Sequence, residues 1–348
     1  MSTAVASAAG KSPTRPFSNT GERVSTIGYG AMGLAAFYGK PKSQSECDAV
    51  FERLLQLGVT FWDTSDIYTS RPSLGQGEEQ LGSWFKSAGK RDQVFLATKW
   101  GFALDGQGNR SQHGEYDYAI SACEASLKRL NTDKIDLYYH HRPAPGQIED
   151  SARAMRDLKQ RGSIRYVGVS EYNLDQLKQF NDIVHIDAFQ IELSPWTPQP
   201  LFNGLVDWCT ANKTQIVPYS PLGRGFLTGK YQKPSDLFSE GDFRSANARY
   251  TEEAFAHNMK LVDQIRAIAA QKGANVTPGQ ISLAWLLAHG DNITPIPGST
   301  QIANIEENAN AAAIQLTRDE VASIDKLVQE FKTLGERYPA SYQATLAF

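Results

Sequence analysis

Apolar, β-branched runs recur along the chain at residues 24–30, 59–63, 94–99, 135–141, 164–170, 187–193, 215–220 and 293–296. Between them, apolar residues return every three or four positions, which predicts amphipathic helices at about 43–57, 78–87, 116–130, 148–161, 174–180 and 201–211, and a pair at 254–271 and 277–288. Strand alternating with helix implies parallel pairing through right-handed crossovers. Eight such units with no break in composition predict one closed (β/α)8 TIM barrel over residues 21–348, preceded by a flexible lead-in over residues 1–20.

Two segments exceed the short connections that such a barrel needs. Residues 223–251 are rich in Gly, Ser, Asp and Arg and follow a predicted strand, so they are expected to lie over the C-terminal face of the barrel, where barrel enzymes keep their ligands. Residues 333–348 carry Tyr338, Tyr342 and Phe348, a tail expected to pack back over the same mouth. The run Gly28-Tyr29-Gly30-Ala31-Met32-Gly33 imitates a dinucleotide-binding fingerprint, with Glu52 at the nominal acidic position. That fingerprint needs a helix opening at its third glycine, and Gly39 and Pro41 follow too soon for one.

Composition narrows the partners. With 348 residues, 41% hydrophobic and 21% charged, the chain can bury a large core, and its net charge of −3 with no Lys/Arg run argues against nucleic acid. No apolar run approaches membrane-spanning length. The first sixteen residues lack the apolar centre of a secretory signal. Cys47, Cys123 and Cys209 stand far apart without metal-ligand spacing, so neither a disulfide framework nor a metal site is expected, and a reducing cytoplasm fits. No exposed apolar stripe marks an oligomer interface, and a monomer is the default expectation.

The candidate chemistry sits at predicted strand ends. Asp63 closes the second strand and Tyr68 follows it, the third strand ends in Lys99-Trp100, and the fourth in His140-His141-Arg142. All would converge on one mouth. A tyrosine, with an ordinary pKa of about 10, serves as a general acid when a neighbouring ammonium stabilises its phenolate. Lys99 would supply that charge, Asp63 would hold Lys99, and a histidine would donate a hydrogen bond to a carbonyl oxygen. If Leu137 and Tyr139 point inward, so does His141, and His140 points out. Phe37, Trp100 and Trp196 also fall at strand ends and predict an aromatic-walled substrate pocket favouring aryl over short aliphatic aldehydes.

These residues resemble the aldo-keto reductase superfamily: its Asp-x(4)-Tyr stands as Asp63 to Tyr68, its strand-end Lys as Lys99, and its motif His as His141 within Asp136-Leu137-Tyr138-Tyr139-His140-His141-Arg142. The likeness continues through Gly168-Val169-Ser170-Glu171, Gln190-Ile191-Glu192, residues 219–225 and Ile296-Pro297-Gly298-Ser299 to Glu307-Asn308. Met32-Gly33-Leu34 and Gly335-Glu336-Arg337-Tyr338-Pro339 are similar to the auxin-induced and pyridoxal-reductase-like branch.

The resemblance implies NADPH-dependent, reversible reduction of aldehydes or ketones to alcohols. It implies that Met32 lies along the cofactor, that Ser170 and Gln190 hold the nicotinamide carboxamide and that Tyr219 stacks on the ring. Ser220, Leu222 and Gly225 would follow the pyrophosphate, while Glu307 and Asn308 would meet the adenine. Many members hold the 2'-phosphate with a Lys after the Ile-Pro and an Arg four residues before the closing Asn, where this chain has Gly298 and Asn304. Thr300 and Asn304 keep neutral donors, and Lys230 and Arg244 of the long loop are expected to replace the missing cations, so NADPH/NADP+ remains the expected coenzyme. The same motifs occur in potassium-channel β subunits, so a cofactor-binding regulatory subunit is the alternative.

Overall fold

The computed structural model describes residues 11–105, 107–238, 240–338 and 346–348. Seven parallel strands form its main sheet: β3 (Tyr29–Gly30), β4 (Phe61–Asp63), β5 (Phe95–Trp100), β8 (Ile135–His140), β9 (Ile164–Ser170), β10 (Ala188–Glu192) and β11 (Gln215–Tyr219). Each pairs with its neighbour in the order β11-β10-β9-β8-β5-β4-β3. The eighth predicted strand closes the ring without ladder geometry throughout. Thr294 and Ile296 donate to Ile216 O (2.9 Å) and Pro218 O (3.0 Å) on one side, while Gly28 N donates to Pro295 O (2.9 Å) on the other. Pro295 and Pro297 remove the donors that would face β3, so this segment offers β3 acceptors alone.

Alternation along the strands sorts the core. Phe61, Phe95, Ala97, Leu137, Tyr139 and Val217 fill the barrel interior, whereas Trp62, Leu96 and Tyr138 pack outward under the helices. The bottom is sealed by a hairpin of β1 (Thr14–Pro16) and β2 (Arg23–Ser25), whose turn residue Phe17 packs its ring, tilted, 4.8 Å from that of Phe95 and 5.5 Å from that of Tyr166. Residues 14–20 are therefore part of the fold rather than a free lead-in, because Phe17 is apolar enough to be drawn into the barrel floor. Residues 1–10 lie outside the described residues.

Helices 44–56, 76–88, 116–130, 148–160, 174–181, 205–211, 252–272 and 278–288 match the predicted ones within a few residues. Two more, Ile302–Asn310 and Arg318–Glu330, follow the last strand segment. The second is signalled by a reciprocal cap between Thr317 and Glu320. A second hairpin, β6 (Phe102–Leu104) with β7 (Arg110–Gln112), rises from the mouth after β5. Its turn is held by Asp105, whose Oδ1 accepts from Gln107 N (2.9 Å) and Asn109 N (2.8 Å). Among the described residues no helix is long and apolar enough to cross a membrane.

Candidate active site

At the C-terminal ends of the strands lies a cleft of about 1240 Å³. The parity that points Phe61 and Ala97 inward also carries Asp63 and Lys99 inward, two residues further along. Lys99 is fully buried and forms an ion pair with Asp63; its Nζ donates to Thr64 O (2.7 Å) and to the Tyr68 hydroxyl (3.1 Å). Gln190 Nε2 donates to the other Asp63 oxygen at 2.8 Å. Burial by itself would lower the ammonium pKa, but Asp63 and Tyr68 hold Lys99 above its ordinary value. Burial raises the Tyr68 pKa and the Lys99 charge opposes that rise, so the phenol stays protonated with a cation beside its oxygen.

His141 completes the wall, its ring 6.1 Å from that of Tyr68 and nearly perpendicular to it. Burial and then the charges of Arg142 and Lys99 push its pKa well below the ordinary value, leaving a neutral imidazole. Its Nδ1 lies 3.1 Å from Ser65 Oγ. His140 instead points outward, stacked 4.4 Å from Trp100 and bonded to the Tyr172 hydroxyl at 2.6 Å.

The cleft is large enough for a dinucleotide. Gly30 and Gly298 bring two backbones together so closely that a Cβ on Gly298 would come within 2.6 Å of Gly30 O. Along the turn after β11, Ser220, Gly223, Arg224 and Gly225 all have positive φ, a curl that glycine favours and that turns the backbone along the cleft. Met32, Gln190, Tyr219, Ser220, Leu222, Gly225, Lys230, Arg244, Gly298, Thr300, Asn304, Glu307 and Asn308 line it. Ser170 is buried just beneath, accepting from Arg142 Nη1 at 3.0 Å. Tyr219 is fixed by its hydroxyl, which donates to Glu171 Oε1 (2.9 Å) and meets the Tyr338 hydroxyl at 3.2 Å.

The long loop crosses the cleft and is pinned to the far bank, where Phe243 N donates to Phe37 O at 3.1 Å. Lys230 Nζ reaches Asn304 Oδ1 (2.6 Å) and Glu307 Oε2 (2.9 Å). Arg244 differs from expectation: its guanidinium is committed to Asp242, Leu237 O (2.7 Å) and Arg224 O (2.8 Å), so its charge ties the loop together. The tail expected over the mouth does reach it at both described ends, with Tyr338 lining the cleft and Ala347 N donating to Glu171 at 3.0 Å; residues 339–345, Tyr342 included, lie outside the described residues.

Of the three expected pocket aromatics, Phe37 lines the cleft, its ring 6.4 Å from Tyr68. Trp100 does not: it follows inward-facing Lys99, so the strand turns it outward, and it is wholly buried against His140 and Met155. Trp196 does not either. It is buried beneath the long loop, stacked 4.2 Å from Phe226 and seated against Gly223, where a Cβ would come within 2.7 Å of its ring. Sequence reasoning missed the residues that replace them: Phe102, Arg110 and Gln112 of the β6–β7 hairpin and Phe243 of the loop. The Asp-Gly-Gln-Gly-Asn turn at 105–109 was the available signal.

Comparison with known proteins agrees with this geometry. The signature of the Aldo/keto reductase family matches residues 26–329. The chain is 42% identical over 332 residues, 94% of each chain, to the Schizosaccharomyces pombe protein named aldo-keto reductase yakc, NADP(+). It is 39% identical to aldo-keto reductase str7 of Strobilurus tenacellus, covering 93% of this chain and 94% of that one. Among solved structures, a thermostable aldo-keto reductase, Tm1743, superposes with a TM-score of 0.72 at 28% identity, over 90% of this chain and 99% of that one. The glycerol dehydrogenase AKR11B4 from Gluconobacter oxydans shares the fold, with a TM-score of 0.79 at 21% identity over 90% and 94% of the two chains. Matching motifs, barrel and relatives together, the chain belongs to the aldo/keto reductase family.

Proposed function

We propose that this oxidoreductase reduces aldehydes or ketones with NADPH, with Tyr68 as the general acid. The observation that carries the reading is the contact of Lys99 Nζ with the Tyr68 hydroxyl at 3.1 Å, backed by the Asp63 ion pair. Reduced nicotinamide, when bound, supplies the hydride. Tyr68 gives its proton to the carbonyl oxygen, and Lys99 stabilises the phenolate left behind. Asp63, held from the other side by Gln190, keeps the ammonium in place. Neutral His141 donates from Nε2 to the same oxygen when Ser65 donates to its Nδ1, which polarises the carbonyl where charge develops.

For the coenzyme, these cleft residues would hold the dinucleotide, with Tyr219 beneath the nicotinamide and residues 220–225 along the pyrophosphate. Lys230, beside Asn304 and Glu307, is the cation available to a 2'-phosphate, and the printed name of the fission-yeast relative supports NADP(H). Arg244 acts through the loop it braces. The decisive experiment is consumption of NADPH with a panel of aldehydes by the wild type and by Tyr68→Phe. The variant is expected to lose on the order of 10²–10⁴-fold in kcat while NADPH still quenches protein fluorescence on binding. Near-normal turnover by Tyr68→Phe removes the tyrosine from this role. Failure of the wild type on every carbonyl despite tight coenzyme binding would favour a regulatory subunit.

A further inference from the structure

The β6–β7 hairpin is not needed to close the barrel, yet it stands at the substrate end of the cleft. Its register places Phe102 opposite Gln112 and Leu104 opposite Arg110, so these four side chains share one face. That face meets the candidate reacting centre: Phe102 and Leu104, like Phe37, pack against the buried cluster of Ala35, Ile67 and Tyr68, and the Phe102 ring lies 5.2 Å from that of His141. Ser111, of opposite parity, turns away to His113.

Two polar groups on this face make no hydrogen bond or ion pair among the described residues, one of them on Arg110, which is exposed and solvated, and the other on half-buried Gln112. Arg110 holds its guanidinium 5.0 Å above the Phe37 ring, and among the described residues no carboxylate pairs with it. Gln112 lines the cleft, and its buried amide nitrogen has no hydrogen-bond acceptor among the described residues. The neighbouring cations are already engaged: Lys99 by Asp63, and Arg142 by Ser170 and the His141 carbonyl. A fork of guanidinium N–H groups with an added amide donor matches a carboxylate, which accepts two parallel bonds.

We propose that Arg110 and Gln112 form a carboxylate-binding subsite, so that the favoured substrates are aldehydes or ketones carrying a carboxylate one aromatic ring, or a short aliphatic chain, away from the carbonyl. The inference rests on the carbonyl-reduction reading of the Tyr68 site. The spacing follows from Phe37, which both groups share: its ring is 6.4 Å from that of Tyr68 and 5.0 Å from the Arg110 guanidinium. A substrate with its carbonyl at Tyr68 and His141 would lie along Phe37 and Phe102 with its far end at the guanidinium. On the proposed coenzyme placement, Leu222, Lys230 and Asn304 serve the dinucleotide, which leaves the hairpin cation, beside Phe37, for substrate.

The test compares para-carboxybenzaldehyde with its uncharged methyl ester. The wild type is expected to favour the carboxylate in kcat/KM by about tenfold or more, since charge-assisted bonds of this type carry roughly twice the strength of neutral ones. Arg110→Gln should bring the ratio of the two kcat/KM values close to one, chiefly by raising KM for the carboxylate. Arg110→Lys, which keeps the charge and loses the fork, should fall between. Calorimetric binding of terephthalate to the NADP+-loaded protein reads the same subsite without turnover and should weaken about tenfold in Arg110→Gln. If neither aldehyde is reduced, the carbonyl-reduction reading fails and the terephthalate measurement still decides this one. A wild type that treats acid and ester alike, or an unchanged ratio and unchanged terephthalate binding in Arg110→Gln, overturns the subsite.

Discussion

Ser65 Oγ sits 3.1 Å from Nδ1 of His141, from a segment 76 residues away in sequence. Both groups are buried, and the imidazole is neutral, so one of its nitrogens carries the proton and the other accepts. A hydroxyl that donates to Nδ1 leaves Nε2 as the N–H facing substrate. On the proposed reading Ser65 gives its one proton to Nδ1 rather than to Asp66 Oδ1 at 3.3 Å, and so positions His141 as a donor.

Ser65→Ala frees the tautomer. A lost hydrogen bond of about 1 kcal/mol should lower kcat roughly fivefold, with NADPH affinity unmoved. Nitrogen NMR shifts of His141 should move from a single Nε2–H form toward a mixture. An unchanged spectrum with lowered kcat would assign the loss to packing instead.

Lys230 offers a second check, on coenzyme choice. Its ammonium is partly exposed, so its interaction with a 2'-phosphate is discounted for screening, and Lys230→Ala should raise KM for NADPH roughly 3- to 10-fold. KM for NADH should hardly change, because that coenzyme lacks the phosphate. A parallel loss for both would mean that Lys230 serves the loop through Glu307 and Asn304. Arg244→Ala, by contrast, removes the brace on Asp242 and should weaken both coenzymes together.

The barrel and its mouth were legible because period-2 alternation and strand-helix order are local signals. Asp63, Lys99 and His141 are each carried inward by the parity of their own strands. The same rule applied one residue on would have turned Trp100 outward; the sequence reading placed it by its nearness to a strand end instead. Trp196 could not be sorted this way, since it lies beyond β10 in a turn, and its stacking on Phe226 depends on how the long loop folds back. The Ser65 to His141 contact and the commitment of Arg244 to Asp242 are side-chain geometry, which hydrophobic patterning does not encode. Phe17 was hidden by position: a Pro- and Ser-rich opening reads as a lead-in until the barrel floor is there to receive its ring.

The role proposed for Lys99 makes a prediction distinct from that for Tyr68. Lys99→Met removes the charge that opposes the burial-driven rise of the Tyr68 pKa and leaves buried Asp63 without its cation. Carbonyl reduction should fall by two or more orders of magnitude, and stability by roughly 3–5 kcal/mol, as for other broken buried pairs. Lys99→Met with Asp63→Asn should recover much of the stability and none of the rate. Measuring urea midpoints beside kcat separates the two effects, and a double variant as unstable as the single would count against the ion pair.

The two adjacent histidines should separate activity from stability. His141→Ala is expected to remove most of the carbonyl reduction, whereas His140→Gln, on the outer face, should chiefly alter how stability depends on pH. Burial lowers the His140 pKa to about 4, with smaller opposing effects from the His113 carbonyl and Glu115, while in the unfolded chain it titrates near the ordinary value of about 6.5. The unfolded chain thus binds the proton first as pH falls, so this site's stability is intact above pH ~6.5 and declines toward pH 4, by roughly 3 kcal/mol at that point. His140→Gln loses the stacking on Trp100 at every pH but has no proton to gain. The gap in unfolding free energy between wild type and variant should therefore shrink by about that amount between pH 7 and pH 4 in urea titrations. Parallel curves for the two proteins would mean that His140 titrates in the fold as it does in the unfolded chain, contrary to its packing against Trp100 and Tyr172.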